Sequence, residues 1–199
     1  MKTFLNIRGP NGAGKTTLAK KFVGDFDALV ELTAYRDRKT GSRKIVTGIL
    51  NADHNSVIVG RYTDHGGGLD TIPTFDVQHD AIRGGLALPE VDTVIAEGIL
   101  VSTQIGCWKP FAEELREAGH RVVWAFLDVP LEVCFERIEQ RREAHRARKS
   151  PFKRDQVEAK WHKNNSLFEE LKDADWVETI RLPFGEEWET ICDLLALKT

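Results

Sequence analysis

The sequence predicts an α/β fold, a parallel sheet of five strands flanked by helices. Three observations predict it. Short apolar runs alternate with longer helical patterns, the rhythm of β-α-β units. A glycine-rich loop stands between the first apolar run and the first helical pattern. Later, the apolar run Arg121 to Val129 meets Pro130 and a long charged helix.

In order, Phe4 to Ile7 reads as a buried strand and Thr16 to Val23 as the following helix. Ala28 to Leu32 is the second strand. Lys44 to Leu50 and Ser56 to Tyr62 are β-rich runs around the turn-like Asn51 to Asn55, a hairpin insert outside the main sheet. His65-Gly66-Gly67-Gly68 precedes a helix over Phe75 to Leu86. Thr93 to Leu100 and Arg121 to Val129 are the third and fourth core strands. Leu131 to about Arg148 is helical, Pro151 interrupts, and Asp155 to Leu171 is helical again. Val177 to Leu182 is the last strand and Glu186 to Leu197 the closing helix. No repeat or long linker divides the chain, so residues 1–199 form one domain. Within it, roughly 33–89 makes an acceptor-side insert and roughly 137–160 a basic lid.

Hydrophobic residues are 41% and charged residues 30% of the chain, enough apolar content for a core and against disorder. Cys107, Cys134 and Cys192 show no paired metal-ligand spacing and fit a reducing compartment, Cys134 and Cys192 as small core residues. No apolar run reaches the roughly 18 residues of a membrane span, and the N-terminus turns polar too soon for a secretory signal. The expected location is cytoplasmic, with no membrane partner.

Gly9-Pro10-Asn11-Gly12-Ala13-Gly14-Lys15-Thr16 matches G-x-x-x-x-G-K-[ST], the P-loop, between a strand and a helix as that loop's mechanism requires. Backbone amides from Gly9, Asn11, Gly12, Ala13 and Gly14 through Thr17 would cradle the phosphates of ATP at a helix N-terminus. Lys15 is expected to reach the β- and γ-phosphates and Thr16 to hold Mg2+. The fold is then a P-loop NTPase or kinase fold. No Asn-Lys-x-Asp element of a GTPase is present.

Phe126-Leu127-Asp128-Val129-Pro130 through Arg137, with Arg141-Arg142, resembles the strand, helix and lid of thymidylate kinases. By that resemblance Arg137, Arg141 and Arg142 would neutralise charge on the transferred phosphoryl group. Val94-Ile95-Ala96-Glu97-Gly98 is similar to the Glu-Gly strand end of uridine-kinase-like proteins. There the carboxylate binds magnesium through water or orients the attacking hydroxyl. Val57 to Tyr62 is similar to the Asp-Arg-Tyr strand end of thymidylate kinases, but Gly60 replaces the aspartate. The stretch Thr33 to Pro89 departs from that pattern. Gly60 to Ile72, with Glu97-Gly98-Ile99-Leu100-Val101-Ser102, resembles the phage 5-hydroxymethyluracil DNA kinases. That resemblance implies ATP-dependent phosphorylation of a pyrimidine 5-hydroxymethyl group within DNA.

An alcohol acceptor needs a carboxylate to take its proton; Asp37, Asp64, Asp70 and Glu97 are candidates, Asp37 and Glu97 first. Arg36, Arg38 and Arg61 are expected on the substrate, with Asp64 and Asp70. His65, Asp70, Asp76 and His79 fit no recognised metal-ligand spacing, and Gly66-Gly67-Gly68 suits a loop that approaches the acceptor closely or moves on closure. Trp108 and Trp161 lie among polar neighbours where a base could stack; Trp124, Trp176 and Trp188 read as packing residues. Residues 137–154 hold eight Arg or Lys and two Glu, a stripe able to track DNA or simply to cover ATP. A free deoxynucleoside monophosphate acceptor and an ATP-binding switch module are the rival functions.

Overall fold

A computed structural model of the chain describes residues 1–23, 28–62, 67–98, 102–144 and 152–197. The sheet is built from β1 (Thr3–Arg8), β2 (Ala28–Arg36), β3 (Arg43–Asn51), β4 (Ser56–Val59), β5 (Thr93–Glu97), β6 (Arg121–Asp128) and β7 (Glu178–Pro183). Among the described residues six helices accompany it: α1 (Lys15–Lys20), α2 (Phe75–Ala87), α3 (Trp108–Glu117), α4 (Leu131–Ala144), α5 (Arg154–Leu171) and α6 (Glu187–Leu195), with a 3-10 turn over Gly68–Thr71.

The expected α/β architecture is present, with seven strands among the described residues instead of five, in the order β2-β3-β4-β5-β1-β6-β7. β4, β5, β1, β6 and β7 run parallel, while β3 joins β4 and β2 joins β3 antiparallel. The hairpin is therefore part of the main sheet. Its second strand, Ser56–Val59, is buried at every residue and pairs Ile58 with Ile95 of β5. A continuous buried run is what a parallel sheet covered on both faces requires. The predicted second strand becomes the sheet edge and continues through Tyr35 and Arg36. No helix among the described residues is long and apolar enough to cross a membrane.

Side-chain alternation splits the core. Phe4, Val94, Trp124 and Phe126 face the α2, α3 and α5 side, and Leu5, Ile7, Ile95 and Val123 face the α1 and α6 side. Trp108 belongs to the first layer. It is fully buried and stacks on Phe4 at 6.3 Å, which corrects its reading as an exposed stacking platform. Trp161 is half-buried, donates Nε1 to the Val129 carbonyl at 2.8 Å, and packs on the second layer. Cys134 and Cys192 are buried as expected, and Cys107 is exposed. His79 is a packing residue too, its ring stacked 4.1 Å from Phe111.

Candidate active site

The Gly9–Thr16 loop links the C-terminal end of β1 to α1. Gly12 holds φ 81°, and a Cβ there would run into the Cys134 carbonyl, so the loop can pass this close to α4 only with glycine. The turn brings Lys15 inward, where it is 7% exposed and donates Nζ to the Gly9 and Pro10 carbonyls at 2.9 and 3.0 Å. Burial pulls its pKa down, with Glu97 and Asp70 opposing.

Parallel pairing of β1 and β5 sets Glu97 opposite Ile7, at the sheet edge where the loop begins. Its Oε1 accepts from Thr16 Oγ1 at 3.0 Å. The carboxyl is 2% exposed, and burial pushes its pKa up to about 7 against the pull of Lys15 and Thr16. Gly68 closes this side. It sits at φ 66°, and a Cβ there would fall 2.8 Å from Glu97 Oε1, besides meeting the Glu97 carbonyl. At Gly68 the backbone thus lies directly against this carboxylate.

One cavity of about 960 Å³ gathers the predicted residues Asn11, Gly12, Ala13, Gly14, Lys15, Thr16 and Thr17 with Asp70, Glu97, Arg137 and Arg141. Arg137 donates to the Ala13 carbonyl at 3.1 Å, which ties α4 to the loop. Gly9 lies beneath, and its amide donates to Ser102 Oγ at 3.3 Å, while that hydroxyl donates to the Gly98 carbonyl at 2.7 Å. Ser102 is fully buried and joins the loop to the segment after β5, a role no local pattern marks. Arg142 is on α4 and does not line the cavity.

The acceptor-side expectations divide. Asp37 is not brought to the cavity. It makes the β2–β3 turn, its Oδ1 accepting from the Lys39 and Thr40 amides at 2.9 Å each. Those bonds hold the carboxyl below its usual range, the Thr40 amide most, so it is a poor base as well as one outside the cavity lining. Arg36 and Arg38 are exposed on the same hairpin. Arg61 lines a second cavity, and Asp64 lies outside the described residues, as do 145–151 of the basic stripe.

No protein-family profile matches the chain. It is 33% identical over 192 residues to the 5-hmdU DNA kinase of Pseudomonas phage M6, covering 94% of this chain and 92% of that protein. The chain belongs to the 5-hmdU DNA kinase family. The protein of the same name from Pseudomonas phage PaMx11 is 31% identical over 172 residues, 85% of each chain. That of Delftia phage PhiW-14 is 29% identical over 153 residues, 69% of this chain and 52% of that one.

One residue of this family member departs from ordinary packing. Arg8, directly before the loop, is fully buried 3.3 Å above the Trp124 ring, and none of its three guanidinium nitrogens has a hydrogen-bond partner among the described residues. A cation–π contact offsets about 2 kcal/mol, less than the several kcal/mol that desolvating an unpaired ion costs. Arg8→Met is therefore expected to leave stability unchanged or raise it by about 1–3 kcal/mol, read as the urea midpoint. A loss above about 2 kcal/mol would show that the guanidinium is satisfied inside the fold.

Proposed function

We propose that the chain is an ATP-dependent kinase of P-loop fold that phosphorylates the 5-hydroxymethyl group of 5-hydroxymethyluracil in DNA. The observation that carries this reading is the buried Glu97 carboxylate beside Lys15 and Thr16, in one cavity with the glycine-rich loop. Membership of the 5-hmdU DNA kinase family supports the acceptor.

The chain's own groups account for the transfer. Loop amides bind the triphosphate. Lys15 leaves its two loop carbonyls to follow the γ-phosphoryl group, and Arg137 and Arg141 neutralise its developing charge. The hydroxymethyl oxygen attacks the γ-phosphorus, an O–P bond forms, the bond to the β–γ bridging oxygen breaks, and ADP leaves. Glu97, whose carboxylate lies in the cavity beside Thr16, takes the hydroxyl proton. The hydroxyl and carboxylate oxygens of Thr16 and Glu97 are hard donors that fit Mg2+, which when bound would neutralise phosphate charge. In this reading residues 1–199 act as one domain, with 33–89 on the acceptor side and 137–160 as the lid.

The test is transfer of labelled γ-phosphate from ATP to 5-hydroxymethyluracil DNA, 5-hydroxymethyl-deoxyuridine monophosphate and thymidine monophosphate. The expected result is label in the first alone. Label only in a monophosphate would make the chain a free-nucleotide kinase, and slow hydrolysis without transfer a switch module.

A further inference from the structure

DNA must be held beside the main cavity, and two observations outside that cavity indicate where. The first is charge. Residues 36–44 carry Arg36, Arg38, Lys39, Arg43 and Lys44 against one acid, Asp37. All five cations are exposed, and none is within ion-pair distance of a carboxylate among the described residues. The register sets Arg36 directly opposite Arg43, a like-charge pair that costs the hairpin stability. Asp37 cannot relieve it freely, because its Oδ1 already accepts from the Lys39 and Thr40 amides and the Thr40 hydroxyl. Folding alone does not account for such an arrangement; a polyanion would.

The second is continuity. A cavity of about 190 Å³ beside the turn end of the hairpin is lined by Tyr35, Lys44, Arg61 and Thr71 among others. Thr71 also lines the main cavity that holds Glu97. A strand lying on the hairpin is thus separated from the carboxylate cavity by a wall that the two cavities share. The basic stripe 137–154 offers less in its described part. Arg137 is bonded to the loop carbonyls, and Arg154 is paired with Glu139 at 2.7 Å.

We infer that the β2–β3 hairpin, with Arg61, is the phosphate-holding surface for the DNA strand that carries the target base. The inference rests on the DNA acceptor proposed above. Its cations bind the phosphates flanking the target nucleotide, and the extruded base passes toward Thr71 and Glu97.

The test replaces three hairpin cations, Lys39→Gln, Arg43→Gln and Lys44→Gln together, and measures binding of labelled 5-hydroxymethyluracil DNA from 50 to 200 mM salt, a range over which phosphate contacts are read. Three lost phosphate contacts should flatten the slope of log affinity against log salt by about 2 to 3 and weaken binding about 10-fold or more at low salt. Affinity for a fluorescent ATP analogue should stay within about twofold, since ATP binds the other cavity. Circular dichroism of this exposed-residue variant checks that it is folded. A slope equal to that of the unaltered protein overturns the inference. So does a slope that flattens only in the companion variant Lys153→Gln/Arg154→Gln, which would move the strand to the other side. Binding needs no turnover, so the hairpin is judged even if no DNA is phosphorylated; that failure would overturn the acceptor instead.

Discussion

Lys15→Ala is expected to lower turnover by about 100-fold or more, at least roughly 2.7 kcal/mol of transition-state stabilisation. Lys15 is the buried cation of the loop, bonded to the Gly9 and Pro10 carbonyls and flanked electrostatically by Glu97 and Asp70. Those carbonyl bonds are ones a triphosphate can replace, so the ammonium is positioned to move with the charge. Arginine should not rescue it, because a planar fork differs in shape and reach from a compact ammonium. Stability should change by only about 1 kcal/mol, since two carbonyls lose a donor while a buried charge is relieved. The measurement is single-turnover transfer together with the urea midpoint. Near-normal turnover in a folded Lys15→Ala variant would sink the catalytic reading of the loop.

The parts of the site written locally were legible in the sequence. Gly9–Thr16 declares itself by spacing and flanks, and Glu97 by ending an apolar run. The structure brings these together with Arg137 because parallel strands put their C-terminal ends on one edge. What could not be read locally is strand order. Ser56–Val59 joins the main sheet through pairing with β5, some 37 residues on in register terms from Ile58 to Ile95, and no short-range pattern specifies that partner. The unbroken apolar run Val57 to Val59, without alternation, is the signal that it is buried on both faces. Trp108 has polar neighbours in the chain, yet Trp108, Phe111, Ala112 and Leu115 follow helical spacing and form the buried face of α3. Asp37 begins Asp-Arg-Lys-Thr-Gly-Ser, turn chemistry, and the structure uses it that way.

Glu97→Gln separates catalysis from packing because the two should move in opposite directions. Glutamine keeps the size of the side chain and can still accept from Thr16, but it cannot take a proton from an alcohol. Turnover should fall about 100-fold or more, with ATP affinity within a few-fold. Stability should behave differently. Burial raises the carboxyl pKa from 4.5 in the unfolded chain to about 7 in the folded one. Between those values the folded protein holds a proton that the unfolded chain has released, so stability falls as pH rises from 4.5 through 7. Below 4.5 both states are protonated and the penalty is absent; above 7 both are ionised and it is complete. The neutral amide escapes this penalty, although it leaves Lys15 without its largest electrostatic partner. At pH 8 the variant should therefore be more stable by about 1–3 kcal/mol, and near pH 4 the two proteins should converge. Urea midpoints of both proteins across this range, beside transfer rates at one pH, make the comparison. An unchanged transfer rate with lowered stability at pH 8 would make Glu97 a structural strand-end carboxylate and remove it from the chemistry.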